Sequence, residues 1–366
     1  MLATIKAEIL ADLRELTALD GISGHEEAVI AAMRERLAPL SDKLEIDTFG
    51  NIHALAAGRP DGYRLLLAAH SDEIGLMVKS IGKDGYLRFD AVGGVQPSLL
   101  AGRLVRINGH ITGVIGVKSG HLQSAKERSR LPEIENLYID VGASSAQEAE
   151  QLGISIGDPI AFVSPLTTLN HPDILTGKAI DDRLGCAVLL ALMRRLGHSG
   201  RRTAVVCAIT TQEEVGLRGA AVAAYKAQPD CAVAVDTFMS GDTPDVDYER
   251  EMPVDIGRGP VLLLASGSGL MGNIMHPAMR RLLERAASAA AIPYQRATVL
   301  AKAATDASTI HMARGGIPTG GIGLARRYSH SPVCTCNLDD AANAVLWLQA
   351  LVQVLDEKPS LAFLEE

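Results

Sequence analysis

Apolar positions along the chain switch between two periods. Ile5, Ile9, Leu13 and Leu16 recur at three- and four-residue steps, as do Val29, Ile30, Met33 and Leu37, which predicts two amphipathic helices at the start. The first ends near Asp20-Gly21. Before the second, Ser23-Gly-His-Glu26 has the form of a capping box, with the serine hydroxyl accepting from an orphan amide and Glu26 reaching back. Three later runs, Arg64–His70, Thr203–Thr211 and Cys231–Asp236, are apolar without alternation, as strands are when a parallel sheet is covered on both faces. Helix-period stretches at 183–196, 217–227, 277–291 and 338–355 lie between and after them. This part therefore reads as a doubly wound α/β sheet.

The texture changes just after His70 and returns near Lys178. In between are short β-rich pieces, Ile74–Ile81, Tyr86–Val92, Arg103–Asn108, Ile111–Val117, Leu137–Val141 and Pro159–Val163, separated by glycine-containing turns. The pattern predicts a small β-barrel-like domain at 74–165 inserted into a discontinuous α/β domain, 1–73 and 166–366.

Composition adds mainly exclusions. Of 366 residues, 47% are hydrophobic and 21% charged, enough for a substantial core in one large domain or two. A net charge of −8 provides no basic stripe for nucleic acid, and no apolar run approaches the roughly 20 residues that cross a bilayer. Neither nucleic acid nor membrane is expected as a partner. The first ten residues mix charges into an amphipathic pattern rather than a secretory leader, and cysteines 186, 207, 231, 334 and 336 form no even framework. Both features predict a cytoplasmic protein.

Candidate chemistry gathers where predicted strands end. His70-Ser-Asp72 leaves a buried strand at its carboxyl end, where open α/β sheets bind ligands. In extended chain, residues two apart share a side, so Asp72 is placed to accept from the His70 nitrogen that is not on a metal; the plainer alternative is a surface loop. Gln212-Glu213-Glu214 follows a second strand. One carboxylate there suits a metal and the other a general base on water, against a plainer reading as acids favoured at a helix N-terminus. Asp236 ends a third buried strand, a costly place for an unpaired carboxylate. Asp181-Asp182-Arg183 opens a helix, where an N-cap with a first-turn acid competes with a carboxylate bridging two ions. Arg327-Tyr-Ser-His330-Ser331 follows the strand-like Gly320–Leu324 and adds a second imidazole. Two histidines with three or more carboxylates suit Zn²⁺, Co²⁺ or Mn²⁺, with positions left for water and substrate.

These motifs resemble metallopeptidase family 42, the TET-type dinuclear aminopeptidases, also labelled glutamyl aminopeptidase or endoglucanase. The likeness runs through Gly21-Ile-Ser-Gly24, His70–Met77, Val92-Gly-Gly94, Asp181-Asp-Arg183, Gln212–Gly219, Thr305-Asp-Ala307 and Arg327–Ser331, in family order. It implies a phosphorylase/hydrolase-like three-layer α/β catalytic domain with an inserted β-barrel dimerisation domain. It further implies that His70, Asp181, Glu214, Asp236 and His330 hold two divalent ions per subunit, Zn or Co before Mn, with Asp181 bridging. Glu213 would be the general base and Asp72 would orient His70. Asp182, Asp306 and His121 would stand near the substrate or behind the ligands, His121 by reaching a neighbouring subunit. The expected activity is hydrolysis of N-terminal residues from peptides by a homo-oligomer, at least a dimer and in the family typically a tetrahedral dodecamer. The alternatives are another dinuclear amide hydrolase, a deacylase or carboxypeptidase, and a catalytically weakened scaffold. One departure stands out: the family usually has an acid four positions after the last histidine, where this chain has Cys334. Loss of an acid that orients His330 would cost about 10–100-fold in affinity or activity. Cys334 and Cys336 are expected to pack as ordinary core thiols.

Overall fold

The protein is described by a computed structural model covering residues 1–197 and 200–364. A twelve-stranded mixed sheet forms its centre. Four neighbouring strands are parallel, in the order Ala204–Thr210, Arg64–His70, Cys231–Met239 and Thr319–Arg327. Antiparallel strands flank them, including Ile52–Ala56 beside Ala204–Thr210 and Cys334–Asn337 beside Thr319–Arg327. The register sets Thr210 opposite His70 and Met239 opposite Arg326, so the carboxyl ends of the parallel strands meet at one edge.

The unbroken apolar runs follow from burial on both faces. Leu65, Leu67, Ala69, Val205, Cys207 and Ile209 pack beneath the helices Leu2–Ala18, Ile180–Leu196, Pro277–Ala289 and Leu338–Asp356. Leu66, Ala68, Val206 and Ala208 face the opposite way, onto Ala220, Ala223 and Ala224 of the helix Arg218–Ala227. Alternate side chains along one strand thus serve different layers, and neither set tolerates polarity. Strands Val261–Ser268 and Gln295–Val299, which the apolar pattern does not single out, extend the sheet from Thr319–Arg327.

Six strands close into a barrel in the order Gly75–Ile81, Leu87–Val92, Tyr138–Asp140, Ile111–Gly116, Leu104–Ile107 and Pro159–Phe162. It has a separate core that includes Leu76, Phe89, Val105, Ile115, Ile139 and Phe162. Closure leaves it no free sheet edge. Among the described residues, no helix is long and apolar enough to cross a membrane.

The predicted capping box at Ser23–Glu26 is absent. The helix Glu27–Leu37 has no side-chain cap bond. Ser23 Oγ instead donates to Asp72 Oδ2 at 2.6 Å, and Glu26 Oε1 accepts from Gln212 N at 2.9 Å. Both side chains were diverted from a local partner to two loops of the sheet's carboxyl edge.

Candidate active site

His70 is the last residue of its strand and is buried. The chain behind it is held from below: Arg183 Nε donates to Ser71 O at 2.6 Å, and Lys178 Nζ to Glu73 Oε1 at 2.7 Å. Asp72 approaches the imidazole, with His70 Nδ1 3.4 Å from Oδ1 and 3.2 Å from the Asp72 carbonyl oxygen. The fully buried carboxylate also accepts the backbone amides of Glu213 at 2.9 Å and Glu214 at 3.1 Å. It therefore ties the loop after Thr210 to the loop after His70. That second task was not foreseen from spacing.

The other candidate groups converge on the outward nitrogen of His70. Its Nε2 lies 3.4 Å from Asp181 Oδ1, 3.6 Å from Asp236 Oδ1 and 3.9 Å from Glu213 Oε2. His330, which follows Thr319–Arg327 with a positive φ of 52°, brings Nε2 to 3.5 Å from Glu214 Oε2 and 3.8 Å from Asp181 Oδ2. Its ring rests on the barrel-side loop, where a Cβ on Gly94 would come within 2.3 Å of His330 Nδ1. Among the described residues, three triads have donor atoms mutually within 4.8 Å: His70, Asp181 and Asp236; His70, Glu213 and Glu214; and Asp181, Glu214 and His330. They open onto a cavity of about 490 Å³, walled further by Phe238, Met239, Met271, Lys302 and Arg326.

Asp181 and Asp182 diverge. Asp181 faces the cavity, where Thr237 Oγ1 donates to Oδ1 at 2.6 Å and Arg326 Nη2 to Oδ2 at 2.5 Å. Asp182 is wholly buried, and its Oδ1 accepts Gly185 N at 3.0 Å, an N-cap bond for the regular helix that begins at Arg183. Asp306 is buried behind the strand ends and accepts from Thr210 Oγ1 at 2.6 Å; it precedes the helix Ala307–Ile310 but makes no cap bond. His121 is exposed on the barrel, outside the cavity wall of its own chain. Cys334 is buried beside His330 and Glu214, with its thiol pushed up to about 12, first by burial.

Arg326 and Thr237 are the residues that sequence reading missed. The signal for Arg326 was a cation closing the apolar run Gly320–Ala325; Thr237 left none. Electrostatics explain why a cation is there. Burial first, and then mutual repulsion, push Glu213, Glu214 and Asp182 well above the usual carboxylate range and Asp306 up to about 7. Burial likewise opposes charge on Asp181, but Arg326 and His70 hold it far below the ordinary value. Burial pulls His70 down, yet Glu213, Asp181, Asp236 and Asp72 raise it well above the usual imidazole value. So many acids in a low-dielectric pocket cannot all ionise without cations, and this donor set fits divalent ions.

Residues 50–346 match the family described as M42 glutamyl aminopeptidase. The chain belongs to that family. Membership makes it a hydrolase of the aminopeptidase class and assigns the α/β fold with its barrel. An aminopeptidase from the archaeon Desulfurococcus kamchatkensis superposes with a TM-score of 0.89 at 36% identity, covering 95% of both chains. The TET1 peptidase of Pyrococcus horikoshii, described as assembling into a tetrahedron or a large octahedral shell, gives 0.81 at 30% identity over 94% of this chain and 99% of that one. A glutamyl aminopeptidase of Lactococcus lactis is 32% identical over 95% of this chain and 97% of its own length. Family 42 is a metallopeptidase family, so divalent metal is part of the assignment.

Proposed function

We propose that this M42 protein removes N-terminal residues from peptides at a two-ion centre, with Asp181 shared between the ions. The observation that carries the reading is the position of Asp181, one carboxylate common to the triad with His70 and Asp236 and the triad with Glu214 and His330. Bound divalent ions would polarise a scissile carbonyl and acidify water. Zn²⁺ and Co²⁺ suit two imidazoles with carboxylates, and Mn²⁺ is tolerated by the same donors.

The remaining chemistry belongs to the chain's own groups. Glu213 lies on the cavity wall, and its Oε2 takes a proton from the attacking water and returns it to the leaving nitrogen. Burial raises its pKa above the ordinary carboxylate value, the direction that suits a carboxylate which both takes and returns a proton. Asp72 sets the Glu213–Glu214 backbone and steadies His70. Acidic walls favour a cationic α-amine, and Phe238, Met239 and Met271 offer apolar contact to the adjoining side chain.

We further infer a homo-oligomer formed through the barrel, a dimer at least, enclosing its sites if it follows the shell described for the Pyrococcus horikoshii relative. Leu122 and Leu131, 74% and 77% exposed on the barrel-side arm, support an interface there. The deciding experiment is hydrolysis of free and N-acetylated aminoacyl-anilides by metal-stripped protein before and after adding Zn²⁺, Co²⁺ or Mn²⁺. Metal-restored cleavage confined to free amines is expected. Equal cleavage of blocked substrates would replace the reading with a deacylase.

A further inference from the structure

The acidic cavity at the sheet's carboxyl edge continues along the protein surface. Leu217 lines it and stands at the start of the helix Arg218–Ala227, whose Ala221 and Tyr225 follow at four-residue steps on one face. Ala221 and Tyr225 line a second cavity, of about 440 Å³, together with Met271, Gly272, His311 and Met312. Met271 is common to both cavities. A track therefore leaves the acidic site between this helix and the hairpin of Val261–Ser268 and Met271–Ile274.

The track is apolar on its flanks and has unused main-chain groups along one side. Tyr225 is 63% exposed and Met312 72%, two large apolar side chains bordering one groove. Tyr225 is held in place, because the Arg314 guanidinium lies 4.2 Å from its ring centroid and donates to its carbonyl oxygen. Met271–Ile274 pairs with Val261–Ser268, and its other edge has no strand partner among the described residues. Ser268 and Met271 close a two-residue turn, so alternation along the strand points the Gly272 N–H and C=O away from the paired side. His311 Nδ1 bonds the Ala307 carbonyl oxygen at 2.9 Å, which leaves Nε2 as an acceptor.

We propose that this groove binds the peptide substrate beyond the scissile bond, as extended chain running from the acidic cavity past Met271 towards Tyr225. The inference rests on the aminopeptidase reading above and adds a dependence on substrate length. In such an enzyme nothing precedes the residue in the cavity, so only the carboxyl-terminal continuation follows a track out of it. From Leu217 to Tyr225 the helix rises about 12 Å, too far for one side chain. That distance is spanned by about three to four residues of extended chain. The free strand edge offers main-chain pairing whatever the sequence, and Tyr225, Met271 and Met312 favour apolar side chains at those positions. Contacts so far from the reacting atoms are the same before and during the reaction, so they lower KM rather than raise kcat.

The test is steady-state kinetics of the metal-loaded full-length protein on a dipeptide amide and an apolar hexapeptide amide that share their first two residues. The longer peptide is expected to have a kcat/KM at least about tenfold higher, through a lower KM. Tyr225→Asp should bring that ratio below about threefold. Ala221→Trp, which fills the groove from an exposed helix position, should do the same and serves in its place if the first variant does not fold. Equal kcat/KM for the two lengths in wild type, or an unchanged ratio in the folded variants, would overturn the inference while cleavage of the dipeptide amide kept the aminopeptidase reading intact. Variants that change the assembly mass in light scattering and leave the ratio alone would also overturn it, and would give the groove to a second copy of the chain. Cleavage of neither substrate would instead overturn the aminopeptidase reading.

Discussion

Replacing Asp72 by asparagine measures how much of the site's geometry passes through one carboxylate. Its two oxygens take three hydrogen bonds: Glu213 N on Oδ1, and Glu214 N with Ser23 Oγ on Oδ2. Asparagine keeps the shape but has one acceptor oxygen. Whichever way the amide turns, its NH₂ faces a peptide N–H, and a buried donor loses its partner. A hydrogen bond to a charged group contributes about 1.5–3 kcal/mol, and orphaning a buried donor costs about 1–3 kcal/mol. Because the two figures describe overlapping losses, the expected destabilisation is about 2–4 kcal/mol rather than their sum. The Glu213–Glu214 backbone then moves, and a displacement of about 1 Å at a catalytic group costs about 100-fold in rate. The pH dependence has a definite sign. Burial would raise the Asp72 pKa, but His70, Ser23 and the Glu213 amide hold it below 3.8. Its contribution is therefore complete above that value and lost only as pH falls through the lower folded-state pKa. Urea unfolding at neutral pH should show the full gap between wild type and Asp72→Asn, and the gap should close only in acid. Ser23→Ala is the control, expected to lose about 1.5–3 kcal/mol with turnover preserved. An Asp72→Asn protein as stable and as active as wild type would refute the reasoning.

Three further outcomes are expected. Glu213→Gln should retain its metal by elemental analysis while turnover falls about 10²–10⁴-fold, the range for a lost general base; unchanged turnover would remove Glu213 from the mechanism. Metal-stripped protein should unfold at a lower temperature at about pH 8 than at about pH 5, because Glu213, Glu214, Asp182 and Asp306 hold protons in the fold that the unfolded chain releases near their ordinary values. His70 adds the same sign, since its raised pKa contributes stability below 6.5 that is lost at higher pH, and scanning calorimetry with added Zn²⁺ should abolish the difference. Gly94→Ala should weaken metal binding and activity with little change in barrel stability, because the new Cβ would meet His330 Nδ1 at 2.3 Å; unaltered metal affinity would show that the ring moves freely.

Much of the sheet and barrel was legible because their signals are local. Burial on both faces left apolar runs such as Arg64–His70, and half-buried barrel strands left short alternating ones such as Leu87–Val92. Placing chemistry at strand ends also needed only local reading. What failed depends on partners far along the chain. Ser23 and Glu26 carry a convincing local cap pattern, but their partners lie 49 and 186 residues away. Helix capping lost to the buried Asp72 carboxylate and the backbone amide of Gln212. Arg326 was missed for a related reason: its role exists only because Asp181, 145 residues earlier, turns towards it. The Asp181-Asp182 doublet could be ordered from family resemblance but not from spacing, since the split between cavity and helix cap arises from backbone geometry at the helix start.

The strand Thr319–Arg327 lies inside the sheet, between Cys231–Met239 and Cys334–Asn337, although it follows Cys231–Met239 far along the chain. On a ribosome, a chain that has emerged only through Met239 has His70, Asp181, Glu214 and Asp236 but no His330. Its Cys231–Met239 strand, apolar from Cys231 through Val235, has an open edge where Thr319–Arg327 will later pair. Such an edge is a template for the wrong neighbour. The nascent protein must therefore add Thr319–Arg327 before that edge is sealed. A truncation before Thr319 should yield insoluble chains rather than a smaller enzyme. Ions that need both halves of the pocket enter only after that sealing, which makes metal loading follow the synthesis of Thr319–Arg327 and His330.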